Sequence, residues 1–561
     1  MNLQQFLDHW KIVENPFRGE EARQDPVFLR LEAASQAGLE ASPPTDAAAK
    51  PANGAPATGA GQSLGPGVTS HSDFEKIAGD FTQPSTAIVF GEKGSGKTAI
   101  RLQLADRVHA YNAHHPTERC LWIGYDDLNP VLARFLERAK VDKKPDLTAT
   151  LGKLRLVDHI DAILTLAVPA IVDVLLKQHA ARSTSGGLPP VTVTLPASDE
   201  PRKAIRKMDP SVRRDLLALQ VAYDRPDVSA GAEKRTQKLR NALRIMPPWG
   251  AMVWTLLVLV GWMPAAAWIY LAWQQKRLSF DMAVLTHADS VWWTIAGLLG
   301  LYLLVLLKRS VWDRLKYITL GHRLRKQIRV SIRSDSSYGR SMRMIPRTLV
   351  DAAVLPMTSS DEVRYAMLER LKRVLAVLGY RSILVVIDRV DEPTLIAGDP
   401  DRMKAVVWPM LHNKFLQFPG MGIKMLLPIE LRHLLFRESA AFFQEARLDK
   451  QNLIERLNWS GAMLHDLCNA RLQACRAPGM TSLPLLDLFA EDVTKQDLVE
   501  ALDQMHQPRD AFKLLYQCLV DHCASVTSDQ SQWRIPRVLL ETVKKAQVER
   551  VKQLYRGIRP A

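Results

Sequence analysis

The octapeptide Gly91-Glu92-Lys93-Gly94-Ser95-Gly96-Lys97-Thr98 constrains this chain more than any other stretch. It fits G-x-x-x-x-G-K-[ST], a glycine loop whose backbone N–H groups converge on phosphate oxygens. Residues 85–90 before it are an apolar run suited to a buried parallel strand, and residues 98–105 open a helix. A strand, a glycine loop and a helix N-terminus together make an anion site, to which the helix dipole adds. In such a loop Lys97 reaches the β- and γ-phosphates, and the Thr98 hydroxyl ligates a metal ion. The pattern predicts ATP and Mg²⁺ as ligands, with Gly91, Glu92, Lys93, Gly94, Ser95, Gly96, Lys97 and Thr98 as the cradle.

A second motif lies far downstream. Ile383-Leu384-Val385-Val386-Ile387-Asp388 is an apolar strand ending in a carboxylate, the Walker B pattern. Asp388 is expected to hold Mg²⁺ directly or through water. Asp391 and Glu392 follow at once. A carboxylate there can orient and deprotonate an attacking water, so Glu392 is the expected general base and Asp391 the reserve. The helix feeding this strand carries a capping box, Ser359 with Glu362, an apolar face from Met367 to Leu375, and Gly379 at its end. Residues 423–428 read as the next strand, with Glu430 and Arg432 at its exit. No Asn or Thr stands at that strand end to sense a γ-phosphate.

Between the two motifs stand two apolar runs, residues 251–273 and 291–307, and neither contains a charged residue. At about 1.5 Å per residue the first can cross a hydrocarbon core of about 30 Å, and the second, which is shorter, is expected to span with little tilt. Trp249, Trp273, Trp292 and Trp293 flank them, where amphipathic rings prefer the interface. Pro264 inside the first predicts a kink. Lys234, Arg235, Lys238, Arg240 and Arg244 precede the first run, and Lys308, Arg309, Arg314 and Lys316 follow the second. The positive-inside rule then puts both flanks in the cytoplasm. The expectation is a multi-pass protein of the inner (cytoplasmic) membrane, with the lipid bilayer as partner and both termini cytoplasmic.

A chain of 561 residues implies several domains, and its net charge of +15 suggests nucleic acid or an anionic membrane surface as partner. Much of that excess flanks the apolar runs, which favours the membrane. Five cysteines without a C-x-x-C pair fit a reducing compartment, and residues 1–6 lack the character of a signal peptide. The chain divides into an N-terminal segment, 1–33, packing on the ATPase, and a disordered Ala/Pro/Gly-rich linker, 34–69. The first part of an ATPase covers 70–245, a transmembrane hairpin 246–310, the second part 311–435, and a helical lid and C-terminal region 436–561. That last region reads as helical, with Leu453, Leu457, Trp459, Met463, Leu464 and Leu467 as apolar positions within 453–475, and Gln507-Pro508-Arg509 starts another helix. Arg509 at a lid-helix N-terminus can swing onto a γ-phosphate; a plain surface arginine is the alternative. The fold class expected is therefore α/β, a P-loop NTPase with a parallel sheet flanked by helices.

This order of parts resembles the KAP family of P-loop NTPases, in the STAND/AAA-like division, which carries a transmembrane segment between its Walker A and Walker B strands. Asp388-Arg389-Val390-Asp391-Glu392 is similar to the extended Walker B of that division, although a typical KAP string begins with two adjacent acids and ends in Asp-Arg. Pro508-Arg509 is similar to its lid Pro-Arg. The resemblance implies a membrane-anchored ATPase switch that changes assembly state, as a homo-oligomer with an unknown effector or trigger protein, in antiviral (anti-phage) defence or signalling. The alternative is an ATP-driven motor or loader acting on nucleic acid or a secretion complex. No zinc site, nuclease motif or aromatic-basic module favours nucleic acid.

Overall fold

Residues 87–91, Ala-Ile-Val-Phe-Gly, are buried throughout, as a strand covered on both faces must be. They form β1 (Ala87–Gly91) of a five-stranded parallel sheet in a computed structural model. Residues 1–18, 22–31, 70–138, 146–177, 190–195, 200–225, 231–246, 249–274, 290–351, 354–527 and 532–555 are described. The expected linker at 34–69 lies outside them.

The other strands are β2 (Arg119–Tyr125), β3 (Tyr380–Ile387), β4 (Met421–Pro428) and β5 (Asn452–Ile454), in the order β2-β3-β4-β1-β5. The register sets Gly91 opposite Pro428 and Ile387 opposite Met425. The segments leaving β1, β3 and β4 therefore start from one edge of the sheet. That edge collects the glycine loop, Asp388 and Glu430.

Chain contacts gather into two compact units. The first comprises Met1–Asn129, Arg182–Thr192 and Arg381–Ala561 and holds the sheet. It also holds a helical cluster in which Phe6, Phe17 and Val27 of the N-terminal segment pack with Leu464, Leu498 and Leu514. Two expectations need correction here. The region from 436 is not helical throughout: Leu453 lies in edge strand β5, and the helix that follows begins at Gly461. The cap of the helix Asp361–Val377 is Ser360, not Ser359; its hydroxyl accepts from the Glu362 N–H at 3.3 Å.

The second unit, Pro130–Ala181 and Val193–Tyr380, is helical. Its centre is Leu156–Leu176, the one described helix long and apolar enough to cross a membrane, and most of it is buried in protein. The carboxylates on this helix are paired, as buried charges must be. Asp161 meets Arg364 at 3.3 Å and the Tyr223 hydroxyl at 2.8 Å, and Asp173 meets Arg235 at 3.0 Å.

The first apolar run does not form the single helix expected over 251–273. It is two helices, Trp249–Val260 and Met263–Gln274. Pro264 has no N–H to bond back to the preceding turn, so the ladder breaks there. The indole of Trp262 donates to the Leu259 carbonyl at 2.8 Å, and the Tyr302 hydroxyl to that of Val258 at 3.0 Å. Tyr302 belongs to the second run, helix Ser290–Leu307.

Candidate functional site

The glycine loop runs directly from β1 into the helix Lys97–His114. Gly94 and Gly96 have φ of +99° and +94°, a region that side chains disfavour. A Cβ on Gly94 would come within 2.9 Å of the Arg509 Cβ, so the loop and the stem of Arg509 lie in contact. From the other side, the Trp459 indole donates to the Ser95 carbonyl at 2.8 Å. The His71 ring meets Trp459 edge-on at 4.9 Å, and its Nε2 lies 2.7 Å from the Asn458 carbonyl.

One cavity of about 790 Å³ runs over this loop. Lys93, Gly94, Gly96, Lys97, Thr98, Asp388, Asp391, Glu392 and Arg509 all line it. The remaining loop residues support it: the Ser95 side chain is buried, Gly91 ends β1, and Glu92 pairs with Arg456 at 2.7 Å. Lys97 Nζ folds onto its own loop, donating to the carbonyls of Gly91 at 2.7 Å and Glu92 at 2.8 Å. Burial pulls the Lys97 ammonium below the usual lysine range, against the fields of Asp388, Asp391 and Glu430.

Asp388 leaves β3 almost fully buried. Its Oδ2 accepts from the Thr98 hydroxyl at 3.4 Å and lies 3.6 Å from Arg101 Nε. Burial pushes its carboxyl up, against the pull of Arg101 and Lys97. Two oxygens on adjacent corners of a magnesium octahedron are about 3 Å apart. The Thr98–Asp388 pair fits that spacing, and both are hard oxygen donors. Magnesium sites typically use one or two carboxylates and complete the shell with water and phosphate.

The two acids after Asp388 differ. Glu392 is half-exposed and ion-paired with Arg389. Asp391 acts electrostatically on Lys97. Sequence reasoning gave no role to Arg101, Trp459, His71 or Glu430. Arg101 had a signal: it stands four residues after Lys97 on the same helix face. Glu430 was visible only as a strand-exit acid. Trp459 and His71 reach the loop by tertiary packing that no local pattern announces.

No protein-family model, curated protein or solved structure matches this chain significantly.

Proposed function

We propose that this chain is a magnesium-dependent P-loop ATPase, held on a membrane by its apolar helices and acting as a nucleotide-dependent switch. The observation that carries this reading is the meeting of Thr98 and Asp388, beside Lys97, in one cavity at the edge of a parallel sheet. The loop N–H groups and the helix N-terminus would bind the phosphates, and Lys97 would leave its own carbonyls to reach them. Bound magnesium would offset the phosphate charge, held by Thr98 and Asp388. Asp391 is the better-placed base, because Glu392 is committed to Arg389. Arg509, already against the loop, would add positive charge at the γ-phosphate.

The membrane reading rests on exposure. Leu259, Trp273, Trp293, Leu301 and Leu304 are more than 60% exposed, an apolar surface that water would not tolerate at this extent. Each half of the broken first run spans only about 18 Å at 1.5 Å per residue, so the two halves together are needed to cross. The Trp262 and Tyr302 bonds to backbone carbonyls at the break support a lipid setting, where every such group needs an internal partner. The order of loop, apolar helices and Asp388 strand supports a likeness to KAP proteins, and with it a role in antiviral defence as a self-associating switch. The test is magnesium-dependent ATP binding by the detergent-purified full chain, and its loss in Lys97→Ala.

A further inference from the structure

Asp388 has a cation within ion-pair reach that the motifs do not name, Arg101. Lys97 Nζ is occupied by the Gly91 and Glu92 carbonyls. Arg101 is 3% exposed, and its Nε lies 3.6 Å from Asp388 Oδ2. Its Nη1 bonds to Asp126 Oδ2, just past β2, while its Nη2 is buried without a hydrogen-bond partner. The same Asp126 oxygen accepts from Arg23 Nη2 at 2.5 Å. Arg23 belongs to the N-terminal segment. Four side chains from four separate stretches thus alternate in sign: Arg23, Asp126, Arg101, Asp388. Burial alone would raise the Asp126 carboxyl, yet Arg101 and Arg23 bring it below the usual range.

We infer that Arg101 is the counter-cation of Asp388 in the metal-free site, and that Asp126 and Arg23 set how readily it yields to magnesium. This deepens the ATPase reading and rests on it. A buried carboxylate needs a partner, and Arg101 supplies one. A divalent cation at Asp388 meets the charge of Arg101 in the same place, so the two compete. Asp126 draws Arg101 away from Asp388, and Arg23 dilutes that pull by sharing the same oxygen. Arg101 is a positioning residue, and the N-terminal segment tunes metal binding through it.

The alternation fixes opposite signs for two variants. Asp126→Asn removes the pull on Arg101, so Arg101 settles on Asp388 and magnesium binds less well. Arg23→Gln leaves Asp126 wholly to Arg101, so magnesium binds better. The experiment titrates Mg²⁺ at fixed fluorescent ATP analogue, using the full chain in detergent, and compares the midpoint with nucleotide affinity in EDTA. The Mg²⁺ midpoint should rise about tenfold in Asp126→Asn and fall about threefold in Arg23→Gln, with the metal-free affinity unchanged in both. A merely structural role would shift both variants the same way and lower metal-free affinity too. Unmoved midpoints, or shifts of one sign, overturn the inference. If Asp126→Asn fails to fold, Arg23→Gln decides: a lower midpoint supports it, and an unchanged or higher one overturns it. A wild-type chain with no magnesium-dependent nucleotide binding sinks the ATPase reading itself, which is a separate result.

Discussion

The Trp459 indole N–H holds the Ser95 carbonyl at 2.8 Å, pinning the glycine loop from outside the strand–loop–helix unit that contains it. Trp459 is nearly buried, and its ring lies 3.6 Å from where a Cβ on Gly96 would stand. The loop must present its N–H groups in a fixed arrangement to bind phosphate. Trp459→Phe keeps an aromatic side chain, smaller than the indole, and loses the N–H bond, worth about 1 kcal/mol. ATP affinity, measured by equilibrium titration, should weaken about fivefold with the fold unchanged. An unchanged affinity would remove Trp459 from the account.

The two acids after Asp388 separate by substitution. Asp391→Asn should retain MgATP affinity and lose at least about a hundredfold in turnover, the scale of general-base catalysis. Glu392→Gln should cost much less, since that carboxylate already pairs with Arg389. Phosphate-release assays on both variants decide between them. The reverse pattern would make Glu392 the base, with Arg389 releasing it on nucleotide binding.

Lys424 sits fully buried in the central strand β4, its Nζ donating to the Ser85 carbonyl at 2.7 Å. Burial lowers its pKa from 10.5 to about 8, against the pull of Cys120. A depressed folded pKa means the unfolded chain binds the proton more tightly. Stability from this site is present above the unfolded pKa and lost as pH falls through the folded one. The penalty at pH 7 is about 3 kcal/mol. Lys424→Met should therefore raise the melting temperature at pH 7, and the gain should shrink as pH rises from about 8 towards 10.5. A gain independent of pH over that range would show that its charge is not the cause.

The membrane reading is tested by topology. All five native cysteines are buried and can be replaced to give a silent background. A cysteine at position 279, between the apolar runs, should react with an impermeant thiol reagent in intact cells. One at exposed position 336, after the second run, should react only once the cells are broken. Labelling at both in intact cells, or a full chain that purifies without detergent, would rule out a cytoplasmic ATPase on a hairpin.

The local motifs were legible because their chemistry is written in consecutive residues. The glycine loop needs Gly94 and Gly96 at positive φ, and β1, β3 and β4 need continuous apolar runs, so all were visible. That Thr98 and Asp388 would share a metal was expected from the two motifs; the strand order that brings them together, with β4 between β1 and β3, was not, because residues 290 apart leave no local trace of it. Leu453 was misread because a three-residue edge strand beside an apolar helix has the same composition as the helix. The break at Gly261 was half legible: Pro264 announced a kink, but not that Tyr302 would cap a freed carbonyl. The charge chain from Arg23 to Asp388 was hidden because its members come from four distant stretches.

The central claim is that Lys97, Thr98 and Asp388 form one magnesium–nucleotide site. Titration calorimetry of the detergent-purified full chain tests it most directly, with ATP added in the presence and absence of Mg²⁺. The account predicts saturable one-to-one binding that tightens with Mg²⁺, is abolished in Lys97→Ala, and loses its Mg²⁺ dependence in Asp388→Ala. Equal affinity in wild type and Lys97→Ala, or Mg²⁺ dependence that survives Asp388→Ala, would contradict it.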